Sequence, residues 1–145
     1  MADMVKELNT LLADYQVLYQ KLRNYHWNIT GENFFELHLK FEELYTGVAV
    51  TVDDIAERVR ALGAKPLSTL KDQLAAARLK EDETVPDGRT MVANLLADYE
   101  SLDGWLRTAA ADADSAKDVP SRDLLEGIIG GEAKTMWMLR TFLGR

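Results

Sequence analysis

Residues 33–63 read NFFELHLKFEELYTGVAVTVDDIAERVRALG and carry the strongest structural signal in the chain. Their apolar residues recur at steps of three and four, which is the spacing of one buried helix face. Gly63 and then Pro66 follow, and both residue types are typical after a helix end. A helix of roughly 30 residues would be about 43 Å long. The apolar positions are Leu37, Phe41, Leu44, Val48, Val52, Ile55, Val59 and Leu62.

Three further segments show the same periodicity. The first runs from about Met4 to Ile29, the third is defined by apolar residues from Val92 to Ala109, and the fourth follows a Ser121 cap to Leu143. Asn33 with Glu36 three residues later predicts a capping box at the start of the second helix. No alternating pattern typical of a half-buried strand occurs, so we predict an all-α protein.

The connections between these segments indicate how the helices are wired. The one between Pro66 and Gly88 is too long for a simple turn, and residues Ser68 to Ala77 predict a short helix within it. Asp112 to Pro120 reads as a polar, acidic loop. A long connection between the second and third helices is typical of a four-helix bundle with one crossover. We therefore predict a single domain over residues 1–145 with this fold, the crossover carrying the short extra helix.

Composition excludes several classes of site. The 145 residues include no cysteine, so disulfides and thiolate metal sites are impossible. Histidine and carboxylates remain as metal ligands, which suits iron or manganese better than structural zinc. The net charge of −7 argues against a nucleic-acid surface built on overall charge. The first residues do not resemble a signal peptide and no apolar stretch approaches a membrane span, so we expect a cytoplasmic protein without membrane contact.

The two histidines, His26 and His38, lie in the region richest in aromatic and acidic residues. Each follows a tyrosine or leucine of an apolar stripe by one position, on the margin of a helix face. At such a position a histidine is either a satisfied boundary residue or a metal ligand. The residues around them leave both readings open.

The second helix favours the metal reading, because His38, Glu42, Asp53 and Glu57 fall along one of its sides. Asp53 and Glu57 are four residues apart, so their carboxylates can converge on one cation. The alternative for these two acids is an ordinary solvated helix face.

Distance limits how such a site can form. His38 and Asp53 are 15 residues apart, about 22 Å along one helix, so they cannot bind one ion from a single chain. Two copies of the helix packed antiparallel about a two-fold axis would bring His38 of one beside Asp53 and Glu57 of the other. A metal site, if present, would therefore be shared between subunits and occur twice. Thr46, Gly47 and Ala49 lie near the midpoint and are small enough for close approach.

Four short segments match a known family. They are NYHWNITG at 24–31, FFELHLKFEELY at 34–45, DDIAER at 53–58 and LGAKP at 62–66. Their His-x11-His-x14-Asp-x3-Glu spacing is specific, and a weaker match extends through 68–70 and 137–143. The chain resembles the Dps family, the ferritin-like DNA-protection proteins of starved cells. It lacks the Glu-x-x-His motif with which larger ferritins build a di-iron site inside one bundle, since the residue three positions after Glu132 is Thr135 and not a histidine.

The resemblance implies a ferritin-like bundle that assembles into a hollow homo-dodecamer and stores ferric mineral inside. It implies an oxidoreductase, a ferroxidase that oxidises Fe²⁺ to Fe³⁺ with hydrogen peroxide as preferred oxidant and protects against oxidative stress. By position, His26 and His38 of one subunit and Asp53 and Glu57 of its partner would hold iron. Glu42 would help at the second iron. Trp27 matches a tryptophan beside the centre that is taken to quench oxidising equivalents, and a second role, filling the interface, is compatible with the first.

The sequence is also compatible with two other functions. The protein could be a cage that binds metal without catalysis, or its main role could be DNA compaction. Family members that bind DNA commonly use a mobile basic tail, whereas here the first helix begins almost at once and the chain ends at Phe142-Leu143-Gly144-Arg145. We therefore expect DNA binding to be weak or absent.

Overall fold

The computed structural model describes residues 3–145, which contain five α-helices and no strand. Four of the helices are long, and the short one lies in the connection between the second and third long helices. The bounds are α1 Met4–Asn28, α2 Phe34–Ala61, α3 Leu70–Ala76, α4 Gly88–Ser115 and α5 Val119–Phe142. This arrangement confirms the predicted all-α bundle with one long crossover.

The helices pack as two short-looped pairs, α1 with α2 and α4 with α5. The crossover brings α4 back against α1, and α3 also packs on α1. Contact between α2 and α5 is much less extensive, so a groove remains between them. Within residues 3–145 no helix has both the length and the apolar character needed to cross a membrane.

The α2 helix buries the face that its sequence pattern predicted, with Phe41, Ile55 and Val59 fully inaccessible. It ends where Gly63 adopts a φ of +85°, a left-handed conformation that favours glycine. The expected capping box is wrong, because the Asn33 side chain forms no cap hydrogen bond.

The turn between α4 and α5 is shorter than predicted. The segment 112–120 is not a loop, since α4 continues to Ser115 and α5 begins at Val119. The buried Ala109 and Ala113 continue the core face of α4 into this acidic stretch. The acidic composition of this segment therefore predicted a loop wrongly, since Asp112 and Asp114 lie within α4 and Asp118 caps α5.

The predicted Ser121 cap of α5 is also wrong. Asp118 is the N-cap, and its carboxylate accepts a hydrogen bond from the Ser121 backbone N–H. The Arg58 guanidinium lies 3.0 Å from the same carboxylate, which ties the end of α2 to the start of α5. Ser121 is buried and its hydroxyl donates to Asp118 and accepts from Arg58.

Buried side chains of α1 make polar contacts that fix the crossover in place. Fully buried Asp14 accepts hydrogen bonds from the Arg78 side chain and from the backbone N–H groups of Arg78 and Leu79. Nearer the end of α1, the Tyr25 hydroxyl donates to Asp82 at 2.6 Å. Because Tyr25 directly precedes His26, this contact helps to hold the last turn of α1 in place.

Candidate metal centre

The two histidines meet where the last turn of α1 passes the first turns of α2. The His26 and His38 rings stack with centroids 3.7 Å apart and planes 12° from parallel. Each Nδ1 lies 2.6 Å from the backbone carbonyl oxygen of the other histidine. His26 is in the last four residues of α1, so its carbonyl lacks an intrahelical partner and is available for this bond.

This reciprocal pairing fixes the chemistry of both rings. A carbonyl oxygen can only accept, so each Nδ1 carries the hydrogen and donates it. In a neutral imidazole the lone pair then resides on Nε2, which is the atom left to bind a metal. Histidine ligands in metal sites generally donate their other ring N–H in this way, which orients the ring and raises its basicity.

Two aromatic side chains of α2 hold the rings in position. Phe34 stacks on His38 with centroids 4.9 Å apart, and Tyr45 meets His26 edge-on at 5.3 Å. Neither residue was predicted from the sequence to be part of the site. Their spacing offered a signal, because Phe34 and Tyr45 lie four residues before and seven after His38, on the same helix face.

Glu42 is the nearest predicted carboxylate. Its Oε1 lies 3.7 Å from Nε2 of His26, and its side chain is half exposed. The structure thus brings together His26, His38 and Glu42 at the edge of the bundle. Even so, no group of three His, Cys, Asp or Glu side chains within residues 3–145 is arranged to hold a metal ion.

Asp53 and Glu57 lie far from this cluster on the same helix. Both are exposed, and the 15 residues between His38 and Asp53 correspond to about 22 Å of continuous helix. They share their face of α2 with apolar residues, since Phe35 is 81% and Leu39 65% exposed. All four lie within about 60° of one another around the axis. Apolar residues interleaved with acids are typical of a surface that another protein covers.

The small residues near the middle of α2 do not all lie on that face. Thr46 is exposed on it, and Ala49 is exposed beside it. Gly47 instead lines the groove toward α5, five residues and therefore about 140° of helix rotation from Glu42. The expected role of Gly47 in close approach across a two-fold axis therefore lacks support, whereas Thr46 keeps the right position.

Trp27 follows His26 but points its ring to the surface, with 56% of the residue exposed. The Arg23 guanidinium lies over the ring at 4.7 Å, a cation–π contact. The ring is accessible to a partner surface, and its part in quenching oxidising equivalents stays a prediction.

Comparisons with known proteins agree with this architecture. A family model described as a ferritin-like domain matches residues 5–145. The chain is 43% identical to the DNA protection during starvation protein of Brevibacillus brevis, over 94% of this chain and 91% of the relative.

Solved structures give the same result. Dps from Staphylococcus aureus superposes with a TM-score of 0.95 at 39% identity, covering 97% of this chain and 95% of that one. Dps from Vibrio cholerae, described as a ferritin-like diiron-carboxylate protein, gives 0.94 at 38%, covering 97% and 88%. The chain therefore belongs to the Dps family of ferritin-like proteins.

Proposed function

We propose that this protein oxidises Fe²⁺ to Fe³⁺ at centres shared between two subunits and stores the ferric product inside a hollow homo-oligomer. The observation that carries the proposal is the reciprocal pairing of His26 and His38 with each other's main-chain carbonyls. Within the described chain neither Nε2 atom makes a hydrogen bond. Histidines that served only as core residues would have no need of two such free nitrogen atoms. Family membership, with a relative described as a diiron-carboxylate protein, points to iron.

The shared site follows from what one chain offers. His26, His38 and Glu42 form one half near the start of α2, and Asp53 with Glu57 form the other half near its end. If two α2 helices packed antiparallel about a two-fold axis near Thr46, the first half of the site from one subunit would lie beside the second half from its partner. The same packing would cover the exposed Phe35 and Leu39, which favours it energetically.

The chemistry follows from the ligand types. Neutral imidazoles bind Fe²⁺, and the carboxylates favour Fe³⁺ more strongly because they carry charge. Two Fe²⁺ ions side by side supply both electrons that hydrogen peroxide needs, so one peroxide and two protons give two waters and two Fe³⁺. Paired delivery avoids the hydroxyl radical that a single electron would release.

Two alternative functions remain. A cage with a structural metal would use the same ligands without turnover. DNA compaction would require contact between phosphates and a chain of net charge −7, which is electrostatically unfavourable. A gel-shift assay with duplex DNA at physiological salt tests the second, and we expect little retardation.

Anaerobic Fe²⁺ loading followed by peroxide, monitored by ferric absorbance, tests the proposal. We expect rapid oxidation by the wild type and a loss of at least about tenfold in His38→Ala, because one ligand and the His26 carbonyl contact disappear together. Glu43→Gln is the matched control, since Glu43 lies on α2 but pairs with Lys40 at 3.2 Å, away from the histidines. Iron binding without peroxide-driven oxidation in the wild type would instead identify a non-catalytic cage.

A further inference from the structure

Glu132 occupies a position of α5 at which the apolar periodicity of the helix predicts an apolar residue. It lies on the buried face with Leu125, Met136 and Leu139, and only 7% of it is exposed. The Tyr15 hydroxyl donates a hydrogen bond to Oε1. Oε2 has no partner among residues 3–145, and no Lys, Arg or His of that range pairs with the carboxylate.

Neither protonation state of Glu132 is satisfied by the chain itself. Burial, together with the nearby negative charge of Asp103, raises the pKa of Glu132 to about 8 despite the Tyr15 hydrogen bond. The ionised form lacks a cation, and the neutral form carries a hydroxyl with no acceptor. A buried group in this condition can take a partner from outside the chain.

A route to this carboxylate exists between α2 and α5. The groove there has a volume of about 890 Å³, and Tyr15, Tyr99 and Glu132 contribute to its lining. Gly47 on α2 and Gly131 on α5 face it, and a Cβ atom added at either would meet nothing within 4 Å. The two glycines leave the groove open beside Glu132, and the Oε2 atom lies beneath the groove surface.

Charge is distributed unevenly along the groove. Asp54 of α2 and Asp123 of α5 line it toward the start of α5. Asp123 is nine residues from Glu132, about 13 Å along the helix. The walls between are apolar, with Val48 and Ile128. At the other end Lys40, Glu43 and Lys134 also line the groove, and Lys40 is paired with Glu43.

These features identify the class of ligand. A metal ion takes four or more ligands, and no suitable group of three metal-ligating side chains occurs within the described residues. An ammonium group needs one carboxylate and a few acceptors for its three N–H donors. Two such groups joined by an aliphatic chain would match acids at two points with apolar walls between them.

We propose that the groove between α2 and α5 binds a linear aliphatic polyamine, with one terminal ammonium on Glu132 and the other at Asp54 and Asp123. The site lies on the opposite side of α2 from the histidine pair and does not depend on iron oxidation. Its occupancy would supply the cation that the buried carboxylate lacks.

Titration calorimetry of the assembled protein with spermidine tests this. We expect saturable binding at one molecule per chain, weakened at least about tenfold in Glu132→Gln, because the charged hydrogen bond is lost. Glu126→Gln is the control, since it removes the same charge from an exposed position on α5 outside the groove. Equal weakening by both variants would mean that binding follows net charge, and would overturn the proposal.

A second pair of variants tests the route without touching the acid. Gly131→Leu should fill the groove and abolish binding, whereas Gly130→Leu, outside it, should not. Putrescine should bind more weakly than spermidine, because its shorter chain cannot reach both acidic positions. Unchanged spermidine binding by Gly131→Leu, or Mn²⁺ binding at Glu132 in the absence of any spermidine binding, would show the assignment to be wrong.

Discussion

At the scale of single residues, the buried polar groups differ in how they are satisfied. His26 is almost fully buried, yet its Nδ1 finds the carbonyl of His38 at 2.6 Å. Asp14 is fully buried and pairs with Arg78 and two backbone N–H groups. Glu132 is equally enclosed but meets only the Tyr15 hydroxyl. An acid in that condition destabilises the fold whenever it must ionise.

Glu132→Gln should therefore alter the pH dependence of stability. The folded-state pKa of Glu132 is raised by burial from 4.5 to about 8, so the folded protein retains a proton that the unfolded chain releases above pH 4.5. Wild-type stability should thus fall as pH rises from about 4.5 to about 8. The amide of the variant does not ionise, so the variant should be more stable than wild type at pH 8, by a few kcal/mol at most.

Thermal unfolding of both proteins between pH 5 and pH 9, without polyamine, measures the difference. Glu7 also has a pKa raised to about 7, chiefly by burial and by its contact with Asp112, but it is present in both proteins and cancels. A gap between the two melting temperatures that does not widen with pH would contradict the prediction.

At the scale of helices, periodicity predicted the fold correctly because each apolar stripe faces one core. The stripe of α2 is buried as expected, and the crossover and α3 lie where the polar connection placed them. Helix ends were less predictable, because a cap depends on local geometry. Asn33 has the right residue type but makes no cap bond, whereas Asp118, read as part of a loop, makes several.

For the site too, features that depend on residue spacing were predicted, and features that depend on contacts between helices were not. Spacing along α2 identified His38, Glu42, Asp53 and Glu57 as one side of a helix. The exchange of hydrogen bonds between His26 and His38 could not be read from spacing, since it depends on how α1 ends beside α2. Glu132 was noted only for the histidine missing three residues later, although an acid within an apolar stripe was itself a signal.

Removing the Asp118 carboxylate should destabilise the bundle more than removing a residue that only resembles a cap. Asp118→Ala loses the cap of α5 and the Arg58 contact at 3.0 Å, so we expect a cost of about 2 kcal/mol. In a chain of this size that corresponds to a melting temperature lower by roughly 4–8 °C. Asn33→Ala should change it little, since no cap bond is lost. Similar shifts for the two variants would contradict the assignment.

At the scale of the whole molecule, each chain exposes a face of α2 that is suited to contact with a second copy of the chain. The side of α2 that carries Phe35 and Leu39 also carries four of the five residues of the proposed centre, and the fifth, His26, lies beside it on α1. Because a C2 contact uses the same patch on both partners, it would cover these side chains and complete two centres at once. Assembly and activity should then be lost together when this face is changed.

Light scattering at micromolar concentration and neutral pH measures the assembly. The family resemblance leads us to expect a dodecamer, and twelve chains of 16.3 kDa weigh about 200 kDa. Leu39→Glu should shift the protein toward smaller species, because it places a buried charge in the proposed two-fold contact. A wild-type mass of two chains would contradict the cage, and a mass of one chain would contradict both the cage and the shared centre.

Mixing two inactive variants tests the shared centre most directly. His38→Ala and Asp53→Ala should each lose most peroxide-driven iron oxidation, because every centre contains one lesion. In a dimer of one variant with the other, one centre carries both lesions and the second is wholly wild type. Activity should return to about half in such dimers, and to about a quarter if chains pair at random on co-refolding. A centre built within one chain predicts no recovery at any mixing ratio, since each chain keeps its own lesion. Ferric absorbance of the mixed assembly, against each variant refolded alone, distinguishes the two arrangements.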